Sequence, residues 1–598
     1  MDDARVERLI AEATERRYSR RRILARAAEL GIGGAALAAV LAACGSSSSN
    51  GTSSSGTTTS GGGAATGAAS ATQAAGQSTS APSGQTGGIV NANTTLGDQG
   101  IGNPILTSNE YWTSWLCFNR LVKYDDKGNQ IPDLAKSWKF SDDSLTLTLN
   151  LVDNAKWHDG QPFTAADALF TFDKVKDKNT KTPLASNLQV GDEFVDWSAP
   201  DDHTVVIKMK QPYAPFLYGL SQIPIIPKHI LEKSADINTD PFNKQPIGTG
   251  PYKLTEWQSD QYIKYVRNDD YFMGKPAADG WTNYFMKDTD AGAAALDKGD
   301  LDMMFTPPEM QPRYQSNADF VLHNYVYFTP ITLAFNHKHP ILKDMTVRKA
   351  ISMAIDKKSL SDTVTKGRGI VANNQYAKTG PLDKYNDYTN VDYQKEYPFD
   401  VAGAKKLLDD AGWAPGSDGI RAKDGQRMSF TMLTYSGFTE YMNDQAILQQ
   451  ALKEIGIEVK PSVVEYNTLQ GMWHDSNENP DDRAMEVQEW PHPFEQDPDV
   501  YNELDSKNFP PGDNYEYFKN DDVDKLIEQG RSTVDPDARA EVYKKLDVAR
   551  LKSLPALPLY CAVDGWVCSK RLGGIPADTP SFRWYQRAFP EKIYKISK

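Results

Sequence analysis

Cysteine is scarce in this chain: four in 598 residues. That excludes a small fold stapled by a disulfide framework. Histidine is nearly as thin, with eight scattered residues. No HExxH helix, no Cys–His zinc spacing and no GxSxG elbow occurs, so the commonest metalloprotease, zinc-site and serine-hydrolase patterns are missing. The close pair His337 and His339 has no further ligand type beside it and reads as a solvated loop. Gly248-Thr249-Gly250 is followed by proline, not by Lys-Ser/Thr, which argues against a phosphate-binding loop. Basic residues are outnumbered, 65 Lys and Arg against 79 Asp and Glu. With no basic run, nucleic acid is excluded as a natural partner. No apolar stretch reaches the length of a membrane-spanning helix. Neither a cofactor nor a metal is called for.

What remains is a long, ordinary globular composition, 39% hydrophobic and 24% charged, too long for one core. The first 43 residues read as a targeting segment. Arg20 and Arg21, within Ser19-Arg20-Arg21-Arg22-Ile23-Leu24, precede a short Ala- and Gly-rich apolar run from Leu30 to Ala43. This has a twin-arginine look, with an ordinary secretory signal as the alternative. The run ends Leu41-Ala42-Ala43-Cys44-Gly45, similar to a bacterial lipobox, in which the Cys44 thiol takes a diacylglycerol anchor. Residues 44–87 then form a tether of Ser, Gly, Thr and Ala. Such a chain cannot build a core, and its ends average roughly 35–40 Å apart. Removing the first 43 residues strips eight Arg and six acids, so the formal charge becomes −16.

The most informative stretch is Pro132 to Lys174. Leu145, Leu147, Leu149 and Leu151 recur with period two after the turn Ser141-Asp142-Asp143-Ser144, which predicts a hairpin with one buried face. A polar loop leads to Thr164, an N-cap with Asp167 at capping-box spacing, opening an apolar-periodic helix. The whole stretch, with Trp157-His158-Asp159-Gly160 and Pro162-Phe163-Thr164, resembles the "LAxSWxxSxDxxTxTxxL…WHDGxPFTAxD" pattern of the extracellular solute-binding proteins of the oligopeptide, dipeptide and nickel type. Further blocks match the same family: Pro246-Ile247-Gly248-Thr249-Gly250-Pro251-Tyr252 with Arg267-Asn268; Val347 to Asp356; Asp400 to Trp413; and Leu554 to Tyr560. The resemblance covers essentially all of Gly88 to Lys598. Glycines 248 and 250 suit a backbone passage where a side chain would clash. Periodicity adds a strand at Phe430–Tyr435, a helix at Ala446–Ile455 and a helical stretch from Asp521 to Ser553.

The resemblance implies an α/β, type II periplasmic-binding fold: two lobes, an inserted small domain, and a ligand cleft between the lobes. Lobe one would comprise 88–131, 246–325 and 559–598, the small domain 132–245, and lobe two 326–558. It implies a non-enzymatic receptor that hands a solute to an ABC permease and its ATPase subunits, outside the cytoplasm or in the periplasmic space, as a lipid-anchored monomer. The expected solute is an oligopeptide or dipeptide, with an oligosaccharide or other polar solute as the alternative and a nickel chelate behind both. From other classes, a secreted enzyme and a sensor or chaperone on the same scaffold stay open. Val487 to Asp499 resembles the family's "GWxxDxxDP" segment, but Pro493 stands where peptide-binding members carry the aspartate that meets the peptide ammonium. Glu489 or Glu495 is then the substitute, or the ligand lacks a free amine. Tyr435, Glu489, Trp490 and His492 are the expected ligand-contacting residues. A Cys561–Cys568 disulfide is left open, the turn at Asp564-Gly565 being the element that would bring them together.

Overall fold

A computed structural model describes residues 87–596, apart from 95–97, 99, 108–111, 192, 308–309, 328, 375–381, 437–438, 490–496, 578 and 580. Arg20, Arg21 and Cys44, with the targeting segment and tether up to residue 86, lie outside the described residues, as do Trp490, His492, Pro493 and Glu495. Among the described residues no helix is long and apolar enough to cross a membrane.

The predicted hairpin is present. Strands Ala135–Phe140 and Thr146–Leu151 pair antiparallel, and Leu147, Leu149 and Leu151 are fully buried. Their turn is held by Asp143, whose Oδ1 accepts from the Leu145 N–H at 3.0 Å, with Ser144 at φ 60°. Strands Thr204–Lys208 and Asp196–Asp201 complete a four-stranded antiparallel sheet. The helix Ala165–Lys176 opens as predicted: the Asp167 carboxylate accepts from the Thr164 N–H at 2.9 Å.

The glycine passage is steric. A Cβ on Gly248 would lie 1.7 Å from the Cys117 carbonyl oxygen, and one on Gly250 would lie 2.5 Å from the Cys117 carbonyl carbon. At this close approach the Gly250 N–H donates to the Cys117 carbonyl at 2.8 Å. His158 closes over the same place, its Nε2 being 3.0 Å from the Gly250 carbonyl.

Two larger sheets carry the rest. In the seven-stranded sheet the spatial order is Tyr252–Gln258, Tyr262–Arg267, Gly280–Phe285, Ile89–Thr94, Met303–Thr306, Val563–Ser569 and Phe320–Val326. Ile89–Thr94 is parallel to both its neighbours. In the six-stranded sheet the order is Ile370–Val371, Ala556–Cys561, Ile331–Phe335, Met485–Glu489, Ser429–Tyr435 and Glu458–Val464. Ser429–Tyr435 is likewise parallel to both neighbours. Side-chain alternation splits this second sheet between two cores. Phe430, Met432, Leu333 and Leu557 meet the helices Met345–Met353 and Thr439–Glu454, whereas Leu433, Ala334 and Ala556 meet Asp521–Ser532 and Pro536–Ser553.

Three expectations are corrected. Asp521 to Ser553 is two helices, because Pro536 lacks the N–H and fixed torsion needed to continue the first and instead sits in the opening turn of the second, capped by Asp535. His337 and His339 do not form a solvated loop: His339 is buried with Nε2 3.1 Å from Asp481, and His337 Nε2 lies 3.0 Å from the Pro555 carbonyl. Cys561 and Cys568 are free, buried thiols in different sheets, Cys561 paired with Ile370 and Cys568 with Met303. Asp564-Gly565 is not a turn but part of the extended strand Val563–Ser569. At ~3.3 Å per residue that strand carries the two cysteines about 20 Å apart, far beyond disulfide reach. Cys117 is likewise a free, buried thiol.

Candidate functional site

The chain passes between the two large sheets at 327–330 and at Ala562, where the Tyr327 N–H donates to the Ala562 carbonyl at 2.9 Å. The expected return at Leu559 therefore falls inside Ala556–Cys561, which belongs wholly to the six-stranded sheet. Register shows which ends of the sheets meet at these crossings. Thr306, the last residue of its strand, pairs with Gly565, just past Ala562. Glu489, the last residue of its strand, pairs with Ile331, just past the other crossing. The carboxyl ends of the parallel strands on both sides thus point to the same place.

Each sheet also reverses its winding there. From Gly280–Phe285 the chain skips over Ile89–Thr94 to reach Met303–Thr306, and from Glu458–Val464 it skips over Ser429–Tyr435 to reach Met485–Glu489. An open α/β sheet forms its ligand crevice at such a switch point, beyond the carboxyl ends. Two switch points facing one crossing make a cleft with a wall from each sheet.

The second wall is aromatic and acidic. Tyr435 is half-buried at the end of its strand, its ring centroid 5.3 Å from Tyr441 and 5.2 Å from Tyr466. Burial pushes its phenol up to about 12, and the negative charges of Glu489 and Glu486 add to that. Glu489 is half-buried on the same sheet face as Met485 and Val487. Ile331 has Glu489 as its partner on one side and Tyr560 on the other. The Tyr560 hydroxyl donates to Asp444 Oδ2 at 2.8 Å, and burial raises Asp444 to about 8. Beneath this surface Arg483 is fully buried among three acids: Nε is 2.8 Å from Glu478, Nη1 is 2.7 Å from Glu516 and 3.5 Å from Glu486. Trp473 donates to both Glu486 oxygens at 3.1 Å and stacks on Tyr515 at 4.8 Å.

Of the four expected contact residues, the structure brings Tyr435 and Glu489 to one wall; Trp490 and His492 lie outside the described residues but directly follow Glu489 in the chain. The acids at the far end of that segment are already engaged. Asp497 is held by Arg539 through two bonds of 2.6 and 2.7 Å, and Asp499 lies 3.2 Å from Arg531. Sequence reasoning missed Tyr441, Asp444 and Tyr560. Tyr441 and Asp444 stand three apart on the helix Thr439–Glu454, facing the sheet, and that helix begins seven residues before the predicted start at Ala446. Among the described residues no group of three or more His, Cys, Asp or Glu is placed to hold a metal ion.

Comparison with known proteins bears on this geometry directly. The model of the bacterial extracellular solute-binding proteins, family 5, matches residues 129–520. The oligopeptide-binding protein AppA of Bacillus subtilis is 32% identical over 458 residues, 75% of this chain and 82% of that protein. The nickel-binding periplasmic protein of Escherichia coli is 32% identical over 368 residues, 60% of this chain and 68% of that one. Among solved structures, Bacillus subtilis AppA in complex with a nonapeptide aligns with a TM-score of 0.68 at 28% identity, covering 86% of this chain and all of that one. The α/β architecture is thus the type II periplasmic-binding fold, and the chain belongs to family 5 of the bacterial extracellular solute-binding proteins.

Proposed function

We propose that this protein is the peptide-capturing receptor of an ABC importer, without catalytic function of its own, holding its solute between the carboxyl ends of the two large sheets. The observation that carries this reading is the pairing of two switch points at one chain crossing, which gives a cleft whose closure excludes water. Tyr435 and Glu489 stand at the second wall, Thr94 and Thr306 end the strands of the first, and Trp490 and His492, which follow Glu489 in the chain, are assigned with them to contact the solute. Lobe one is 88–131, 246–325 and the C-terminal stretch, with the crossing set at Ala562; the small domain is 132–245; lobe two is the remainder. A twin-arginine-like signal, a lipid on Cys44 and the tether 44–87 would hold a monomer at the outer face of the membrane beside its permease and ATPase subunits.

Glu489 is the carboxylate we assign to the peptide ammonium, in place of the aspartate that Pro493 displaces; a charge-assisted bond of this kind favours the charged amine. The specific observation favouring the second reading, an oligosaccharide, is the tyrosine cluster Tyr435, Tyr441 and Tyr466, since flat rings suit sugar faces as well as peptide backbone. A thermal-shift screen of the purified protein against di- to pentapeptides, oligosaccharides and nickel chelates separates these. A solute at a hundred times its Kd stabilises by about 2.7 kcal/mol. A shift with free-amine peptides that disappears on N-acetylation is the expected result. A shift with sugars alone overturns the peptide assignment.

A further inference from the structure

The segment carrying Trp490 and His492 is followed at once by two buried aspartate–arginine pairs, and the second of them reaches the other half of the molecule. Arg531 closes the helix Asp521–Ser532, whose Val523 and Ile527 pack under the six-stranded sheet. Its guanidinium lies 3.2 Å from Asp499 and 3.6 Å from the Tyr501 ring centroid, both in the chain just beyond the 490–496 segment. The same guanidinium lies 5.0 Å from the ring centroid of Tyr213, and the Arg531 carbonyl accepts from the Ala214 N–H at 2.7 Å. Tyr213 packs against the core of the four- and seven-stranded sheets, not that of the six-stranded sheet. Arg531 is therefore ion-paired on one side with Asp499, beyond Asp497 in the chain, and on the other meets a loop of the opposite half.

An arginine ending a helix is ordinarily placed there by the helix dipole and points to water. This one does not: its side chain is 12% exposed and Asp499 only 5%. Both charges have lost most of their water, and burial raises Asp499 to about 6 in spite of the arginine beside it. A desolvated pair with an aromatic ring on each side is an arrangement that a solvated helix end does not need. Pro212 and Pro215 flank Tyr213 and Ala214, and fixed proline torsions hold that loop in a shape ready to receive the arginine.

We propose that Arg531 is a positioning residue, a latch that ties the Asp499–Tyr501 stretch to the Pro212–Pro215 loop and so sets the balance between closed and open forms of the cleft. The proposal rests on the reading that the two halves close about a solute. Separation of the halves at this seam breaks the Ala214–Arg531 bond and the Tyr213 stack, while the Asp499 and Tyr501 contacts travel with the six-stranded half. Only an interaction present in one form and absent from the other can shift such a balance, and the Tyr213 side of the latch meets that condition.

Amide hydrogen exchange and small-angle scattering on the purified full chain, without added solute, test this. Tyr213→Ala removes the ring from the loop side and leaves Arg531, Asp499 and Tyr501 intact. It is expected to speed Ala214 N–H exchange about three- to thirtyfold, the range that a cation–π contact converts to, and to enlarge the radius of gyration. Tyr213→Phe keeps the ring but loses the hydroxyl, which also contacts the Arg531 side chain, and is expected to fall between the unaltered protein and Tyr213→Ala. Arg531→Lys, which keeps the charge and loses the planar face, is expected to match Tyr213→Ala. Unchanged Ala214 exchange and scattering in both Tyr213→Ala and Arg531→Lys would overturn the latch. Because no solute is present, that result is distinct from a failure of the peptide reading, which the thermal-shift screen detects separately.

Discussion

The two large sheets share one plan and differ in what they place at its business end. Each has a central strand parallel to both neighbours, and each reverses its winding across that strand. The seven-stranded sheet ends in small, uncharged side chains, Asn93, Thr94 and Thr306, all buried. The six-stranded sheet ends in Tyr435 and Glu489, with Tyr441, Asp444 and Tyr560 around them and the Arg483 cluster underneath. One half is specified by close backbone approach, the other by charge and aromatic contact. The same topology thus supplies a plain wall and a discriminating wall, and changes of solute are expected to be written mainly in the second.

If the first half depends on close approach, its largest vulnerability is the glycine passage. Gly248→Ala drives a Cβ into the Cys117 carbonyl oxygen and is expected to cost more than about 3 kcal/mol, read as a lost urea midpoint. Gly160→Ala is the control: its φ is +89° but nothing lies within 4 Å of the added Cβ, so only about 1 kcal/mol of backbone strain is expected. Gly248 has no left-handed φ, so a loss there no larger than at Gly160 would show that the Cys117 contact does not specify this half.

In the second half the corresponding break is electrostatic. Arg483→Leu leaves Glu478, Glu486 and Glu516 buried without their cation and is expected to cost about 3–5 kcal/mol by urea denaturation. Burial raises Glu486 and Glu516 above the ordinary glutamate value, against the attraction of the Arg483 guanidinium. The folded form then binds more protons than the unfolded one at pH values above the ordinary glutamate pKa of about 4.3, so these groups' contribution to stability is full below that value and is lost progressively as pH rises from there through their raised folded values. Thermal melts between pH 6 and pH 9 are expected to fall with pH, and Glu516→Gln to flatten that slope. A slope unaltered by Glu516→Gln would place the titration elsewhere.

The smallest effect on stability and the most specific on binding is expected at the wall itself. Tyr435→Ala is predicted to weaken peptide binding about tenfold, or ~1.4 kcal/mol, by calorimetric titration. Its melting temperature should change little, because the ring is only half-buried. A large loss of stability with unchanged affinity would make Tyr435 a packing residue and blur the contrast between the walls.

Much of this fold could be read before the structure, and for identifiable reasons. The leucine alternation at 145–151 and the Thr164–Asp167 cap are local patterns whose physics is complete within a few residues, so hairpin and helix follow from them. The glycine passage was legible as a need for small residues, though its partner, Cys117, lies over a hundred residues away and carries no local signal. The disulfide left open between Cys561 and Cys568 fails for the same reason: whether Asp564-Gly565 turns or runs straight is decided by pairing with Met303–Thr306 and Phe320–Val326. The place of Tyr435 at a strand end is legible because a strand end is a local feature. Asp444 and Tyr560, 116 positions apart and joined by one hydrogen bond, were not, since only the sheet brings them together.

The most direct test of the account is a hydrogen-exchange footprint of the purified protein with and without a saturating pentapeptide. Slowed exchange is predicted at the residues that follow Thr94, Thr306, Tyr435 and Glu489, on both walls at once. Slowed exchange confined to another surface, such as the 386–390 loop beside the helix Pro536–Ser553, would contradict it.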